Sequence, residues 1–213
     1  MITEHPLKAA IIIAHPDDET IWAGGTILLH PDWQWTVLAL CRGNDPDRAP
    51  KFHRVLKNLG VSGKISDLDD GPEQFPLPDS DVQEAVLSLL PERHFDLILT
   101  HSPFGEYTKH LRHEEIGRAV TTLWAKGVIS AAEIWLFAYE DSGSQLTQPI
   151  KTAHRVIELP EDVWQRKYDI ITGVYGFDPG SFEARIVPRE ETFWRFRSAG
   201  EFHKWLASNT RRV

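Results

Sequence analysis

Lys8-Ala9-Ala10-Ile11-Ile12-Ile13-Ala14-His15-Pro16-Asp17-Asp18-Glu19 is the stretch that decides the fold. Its apolar run stops at a histidine, a proline, two aspartates and a glutamate. Ile11, Ile12 and Ile13 are consecutive and β-branched, the pattern of a strand buried on both faces of a parallel sheet. Pro16 has a fixed φ and no N–H for a strand ladder, so the strand ends there. Asp17, Asp18 and Glu19 fall where a following helix begins, and free N–H groups and the helix dipole favour carboxylates at that point. The strand tip therefore presents one imidazole and three carboxylates at the edge where α/β proteins bind ligands.

A helix cap needs one acid and no histidine. The cluster instead favours His15 and Asp18 as metal ligands, three residues apart across a turn, with Asp17 a free carboxylate beside the metal.

Working outward, Thr20 to Leu29 reads as a helix on the sheet, with Gly24-Gly25 permitting close approach to a strand. Trp35 to Cys41 is a second strand, followed by the polar loop Arg42 to Arg48. Lys51 to Leu59 is a helix closed by Gly60, and Lys64 to Leu68 a short third strand. Asp69-Asp70-Gly71-Pro72 is turn chemistry, and the prolines at 72, 76 and 78 make the next segment irregular. Asp81 to Leu90 is a helix. Phe95 to Thr100 is a fourth strand ending in His101, and the loop from Ser102 to His113 leads into a helix through Trp124. Glu133 to Tyr139 is the fifth strand.

Strands alternating with helices imply right-handed crossovers and an α/β, doubly wound, mostly parallel sheet with helices on both faces. In the order 3-2-1-4-5 the first and fourth strands are neighbours where the winding reverses. That brings His15 to Glu19 beside the His101 to His113 loop. The chain reads as one domain over 1–213, with a motif-bearing core at 8–140 and an extension of the same domain at 141–213. In the extension Ala153 to Leu159 is expected as a strand, and Glu161 to Ile171 and Glu201 to Leu206 as helices. Tyr175, Phe177, Phe182, Phe193, Trp194 and Phe196 suit core packing or a subunit contact, which leaves room for a homo-oligomer.

Catalytic zinc takes three protein ligands and leaves a position for water. His15 and Asp18 supply two, and His101, His110 and His113 compete for the third. His110 and His113 can face the same way on a helical turn, while His101 fits better as a strand-end histidine bonded to the loop. Two neutral histidines and a carboxylate leave the ion about one net positive charge, so it acidifies water less than a three-histidine site does. A separate general base is then useful, and Asp17 stands next to ligand Asp18. Water activated there would attack an acyl carbon, with His110 the candidate to hold the resulting oxyanion. Cys41 has no partner in sequence and reads as a small buried residue.

Composition sets the outer bounds. With 41% hydrophobic and 25% charged residues, the 213-residue chain is of the globular class. The net charge of −8 and the lack of a basic stripe exclude a nucleic acid as main partner. One cysteine excludes an internal disulfide. No apolar run approaches the roughly 20 residues of a membrane span, and Met1 to Leu7 lacks the core of a signal peptide. The expectation is a cytoplasmic protein acting on a small molecule.

Ala14-His15-Pro16-Asp17-Asp18-Glu19, with His110 and His113 after the fourth strand, resembles the LmbE-like or PIG-L-like family of zinc-dependent N-deacetylases. The likeness runs from about Lys8 to Val120 and takes in Cys41-Arg42-Gly43, Arg48 and Leu59-Gly60-Val61. It implies a Rossmann-like fold and removal of acetyl from N-acetylglucosamine-type amino sugar conjugates; the alternatives are a non-catalytic sugar- or metal-binding protein on the same scaffold, or a metal-dependent hydrolase acting on another amide or ester. It also implies zinc, with ferrous iron the alternative, on His15, Asp18 and His113. Asp17 would be the base that later protonates the amine, and His110 would stabilise the tetrahedral intermediate. Arg42 and Arg48 would lie at the sugar. The chain departs from the family pattern at Leu111-Arg112, where proline and aspartate or asparagine are usual, and at Lys51, where a glutamate is usual. Arg112 is then expected to pair with a nearby glutamate or an anionic substrate group, and Tyr107, near the place where some members bring a tyrosine to the site, either to contact substrate or to pack within the loop.

Overall fold

Ile11, Ile12 and Ile13 are all fully buried, and their side chains alternate between two cores on opposite faces of one sheet. Ile11 and Ile13 pack with Trp22 and Phe52, Ile12 with Val86 and Ile116. At about 1.5–3 kcal/mol for each such side chain, this strand anchors both layers. The computed structural model describes residues 5–106, 110–141 and 146–209.

The elements of the first part are β1 (Lys8–Ile13), α1 (Asp18–Leu29), β2 (Gln34–Cys41), α2 (Arg48–Leu59) and β3 (Ser62–Leu68). They continue with α3 (Asp79–Leu89), β4 (His94–Thr100), α4 (Leu111–Ala125) and β5 (Ser130–Phe137). The extension adds β6 (Tyr139–Asp141), β7 (Thr147–Pro149), β8 (Arg155–Glu158), α5 (Glu161–Asp169) and a π-helical turn at Ile170–Val174. It ends with α6 (Phe182–Arg185), β9 (Glu190–Phe196) and α7 (Ala199–Asn209).

The main sheet has the order β3-β2-β1-β4-β5-β9-β8. Its first five strands are parallel in the expected 3-2-1-4-5 order. Ile12 pairs with Leu38 on one side and Thr100 on the other, so β1 and β4 are neighbours at the reversal of the winding. Helices α1, α2 and α5 cover one face, and α3, α4 and α7 the other. Among the described residues no helix is long and apolar enough to cross a membrane.

The extension supplies the differences from expectation. β9 joins β5 antiparallel, and β8 joins β9. β9 was not foreseen, because its aromatic run carries no clean alternation; Phe193 and Phe196 are buried and pack in the core. The fifth strand stops at Phe137, and Tyr139–Asp141 pairs instead with Thr147–Pro149 in a separate two-stranded sheet. Arg48 lies in the first turn of α2 and not in a loop, since Pro50 is tolerated in a helix's opening turn. Gly25 allows α1 its close approach: a Cβ there would meet Leu159 Cδ2 at 2.3 Å.

Candidate active site

The turn after β1 is strained at Asp17, whose φ is 125°, a conformation costing a non-glycine residue about 1–3 kcal/mol. Its carbonyl accepts from the N–H groups of Thr20 and Ile21, and its own N–H donates to Glu19 Oε2 at 3.1 Å. Glu19 is fixed in turn by the Thr20 hydroxyl at 2.6 Å and the Tyr175 hydroxyl at 2.7 Å. Asp17 holds the N-cap position of α1, yet its carboxylate makes no cap bond. The carboxylate accepts from Arg48 Nη1 at 3.0 Å instead, and the Arg48 guanidinium lies 4.3 Å from the Phe177 ring centroid. Burial first, then the Asp18 charge, raises the Asp17 pKa well above the usual range, against the opposing pull of Arg48.

Next to it, three atoms form a tight triangle. His15 Nδ1 lies 3.2 Å from His113 Nε2, and Asp18 Oδ2 lies 3.4 Å from each. Tetrahedral zinc with bonds of about 2.0–2.1 Å holds its ligand atoms about 3.3–3.4 Å apart, so these residues fit such an ion. Each is oriented from behind. His113 Nδ1 donates to Glu106 Oε2 at 2.7 Å, Asp18 Oδ1 accepts from Trp22 Nε1 at 3.0 Å, and His15 Nε2 faces Asp70 Oδ2 at 3.4 Å. Burial keeps the His113 pKa low, leaving a lone pair on Nε2. His15 behaves oppositely: burial opposes its charge, but Asp18 and Asp70 outweigh that and lift its pKa to about 9. Burial also opposes the charge of Glu106, but His101 and His113 outweigh it and hold the carboxyl at about 2.

His101 is held from both sides. Its Nε2 accepts the Ala14 N–H at 3.0 Å while Nδ1 donates to Glu106 Oε1 at 3.0 Å, so both nitrogens are engaged. Asp18, His101 and His113 nevertheless bring ligand atoms within 4.8 Å of one another, and His101 Nε2 lies 3.4 Å from Asp18 Oδ2. His110 closes the other side, stacked on His113 with ring centroids 4.4 Å apart and edge-on to His15 at 4.7 Å. His15, His110 and His113 also bring ligand atoms within 4.8 Å of one another. Among the described residues His110 Nδ1 is buried without a hydrogen-bond partner. Burial, and then the neighbouring His113 and His15, lowers its pKa to about 3, so it faces the site as a neutral imidazole.

These groups line a cleft of about 650 Å³. Arg42 and Arg48 border it, each tied to an acid: Arg42 Nη2 lies 2.5 Å from Asp70 Oδ2 and Arg48 holds Asp17. Of the two partners expected for Arg112, a nearby glutamate or an anionic substrate group, the structure shows the glutamate. Arg112 is fully buried, turned away from the cleft onto Glu115 (2.6 Å) and the carbonyls of Asp69 and Phe75, because its long side chain runs under the 69–77 segment. Tyr107 lies outside the described residues. Cys41 is buried, which pushes its thiol pKa up and leaves it inert.

Sequence reasoning missed Asp70, read as a turn residue, and the role of Glu106 behind His113. It also missed Tyr175 and Phe177, which come from the extension to meet Glu19 and Arg48. A usable signal existed for the acids alone, since metal-facing histidines commonly give their second nitrogen to a carboxylate.

Among solved structures the chain resembles an N,N'-diacetylchitobiose deacetylase from Pyrococcus horikoshii, with 18% identity and a TM-score of 0.67. That match covers 92% of this chain and 85% of the other. The zinc-inhibited form of teicoplanin deacetylase Orf2 matches at 12% identity and a TM-score of 0.62, over 90% and 98%. GalB, the 4-carboxy-2-hydroxymuconate hydratase of Pseudomonas putida, matches at 17% and 0.57, over 89% and 95%. Likeness at these identities establishes a shared fold. The sequence comparison reaches further: the family model described as PIG-L, GlcNAc-PI de-N-acetylase, matches residues 10–124, more than half of the 213, and the chain belongs to that family.

Proposed function

We propose that this protein is a zinc-dependent N-deacetylase that hydrolyses the acetamide of an N-acetylglucosamine-type amino sugar conjugate. The observation that carries the reading is the triangle of His15 Nδ1, Asp18 Oδ2 and His113 Nε2, with the uncapped Asp17 carboxylate beside it.

In this reading His15, Asp18 and His113 hold the ion, which when bound acidifies water and draws charge from the acyl oxygen. Asp17 takes the proton of the attacking water on its carboxylate, and its raised pKa suits that task. It then gives the proton to the departing amine nitrogen. Arg48 keeps the Asp17 carboxylate aimed, and Glu19 with Tyr175 keeps its backbone in place. His110, neutral and with a nitrogen to spare, donates an N–H to the oxygen of the tetrahedral carbon. Water's oxygen and one of its protons enter the acetic acid formed, the C–N bond breaks, and the proton relayed by Asp17 completes the free amine. The cleft of about 650 Å³ accommodates an amino sugar and part of its aglycone.

The shared fold with GalB makes the bond broken the point to test, because a hydratase would also need an activated water. Acetate release should be measured over a panel of N-acetylated amino sugars, with and without chelator. Chelator-sensitive, zinc-restored release is the expected result; no release from any member of the panel would sink the deacetylase reading.

A further inference from the structure

Segment 69–77, between β3 and α3, has neither helix nor strand, and Pro72 and Pro76 remove two of its N–H donors. Yet it carries Asp70, which faces His15, and Gly71, Pro72 and Gln74, which wall the cleft. It is α4 that holds it. The buried Arg112 guanidinium donates from Nε to the Asp69 carbonyl and from Nη2 to the Phe75 carbonyl at 2.9 Å. Arg112 Nη1 pairs with Glu115 Oε2 at 2.6 Å, and Glu115 Oε1 accepts the Leu77 N–H at 2.9 Å. The segment is thus gripped at 69, 75 and 77, and inside it Gln74 Nε2 donates to Asp70 Oδ1 at 2.8 Å. A planar guanidinium can serve two carbonyls and a carboxylate at once; a lysine ammonium cannot reproduce that fork.

We propose that Arg112, together with Glu115, is a positioning residue for the reaction, fixing segment 69–77 so that Asp70 stays against His15 and the cleft wall stays in place. The inference rests on the deacetylase reading above. It also gives the Leu111-Arg112 departure a physical content: consecutive residues of α4 present His113 to the metal and Arg112 to the wall.

The test uses the full chain as wild type, Arg112→Met, Arg112→Lys, Glu115→Gln, Asp70→Asn and the Arg112→Met/Asp70→Asn double variant. The readouts are amide hydrogen exchange, zinc affinity by competition with a chromogenic chelator, and kinetics on an N-acetylated amino sugar. Arg112→Met should speed exchange within 69–77 while leaving β1 and β4 unchanged. It should weaken zinc binding by about tenfold, the scale for losing an outer partner of a metal-bound histidine. KM should rise more than kcat falls, Arg112→Lys should not restore either, and Glu115→Gln should act in the same direction. The double variant should bind zinc no more weakly than Asp70→Asn alone, since both act through one contact. Unchanged exchange and zinc affinity in Arg112→Met, additive losses in the double variant, or exchange rising across the whole sheet would each overturn the proposal. Should Arg112→Met fail to fold, Glu115→Gln and its double variant with Asp70→Asn carry the same comparison. A wild type that neither binds zinc nor releases acetate would remove the deacetylase reading, while the exchange data would still decide the clamp.

Discussion

His15 Nδ1 and His113 Nε2 approach to 3.2 Å although the two residues are 98 positions apart in sequence. Adjacency of β1 and β4 brings them together, and the Glu106 carboxylate fixes the His113 ring by accepting from its other nitrogen. Two ring nitrogens and Asp18 Oδ2 at ligand spacing lead to a first prediction. His113→Ala should cut zinc affinity by about a hundredfold, some 2.8 kcal/mol, measured by chelator competition. His110→Ala should keep the metal and lower kcat by roughly 10²–10³, the scale for losing one oxyanion donor. Loss of zinc from His110→Ala would mean that His110 is the ligand and not its neighbour.

Zinc binding should depend on pH through His15. Without metal its imidazole is protonated below about pH 9, because Asp18 and Asp70 outweigh the cost of burial. A metal ligand must be neutral, so zinc has to displace that proton. Affinity should therefore fall as pH drops below about 9, approaching tenfold per unit at the steepest. Asp70→Asn should flatten the slope while lowering affinity. Titration calorimetry in buffers of different ionisation enthalpy counts the proton released, and a count near zero at pH 7 would contradict the assignment.

Asp17→Asn removes the carboxylate proposed as the base while keeping the shape of the turn. Asp17 lies outside the ligand triangle, and its contacts run to Arg48 and, through its backbone, to Glu19. Zinc content should be unchanged and kcat should drop by roughly 10²–10⁴. Full turnover in Asp17→Asn would remove the base assignment outright.

The strand order and the convergence of His15, Asp17, Asp18, His110 and His113 could be read from sequence because each depends on local signals. A β-branched run stopped by a proline fixes β1, and alternation of strands and helices places β4 beside it. The rest was illegible for a physical reason. Asp70 looks like any turn aspartate, and its task is set only by where segment 69–77 is pinned. Arg112 looks available for substrate until α4 buries it against Glu115. Tyr175 and Phe177 reach the site from a π-helical turn and the residues after it, which no periodicity announces. In each case long-range packing decided the role.

Glu191 shows the same dependence and supports the last prediction. It is fully buried on β9 and accepts from the N–H groups of Gly25 and Thr26, both at 2.7 Å, and from the Thr26 hydroxyl at 2.6 Å. Lys167 Nζ, also fully buried, meets its other flank at 2.6 Å. Burial lowers the Lys167 pKa and the Glu191 carboxylate beside it opposes that. The carboxylate thereby ties α1, whose first turn carries Asp18, to β9 and α5. Glu191→Ala would take away the carboxylate that two helix N–H groups and a buried ammonium face, and should destabilise the chain by about 3–5 kcal/mol in chelator-treated denaturant titrations. Glu191→Gln keeps an acceptor for the helix but still leaves Lys167 unpaired. Adding Lys167→Met to it should therefore recover part of the loss, since it removes the uncompensated charge. If the two losses simply add, the buried pair is not what anchors α1, and the helix must be held by its apolar face alone.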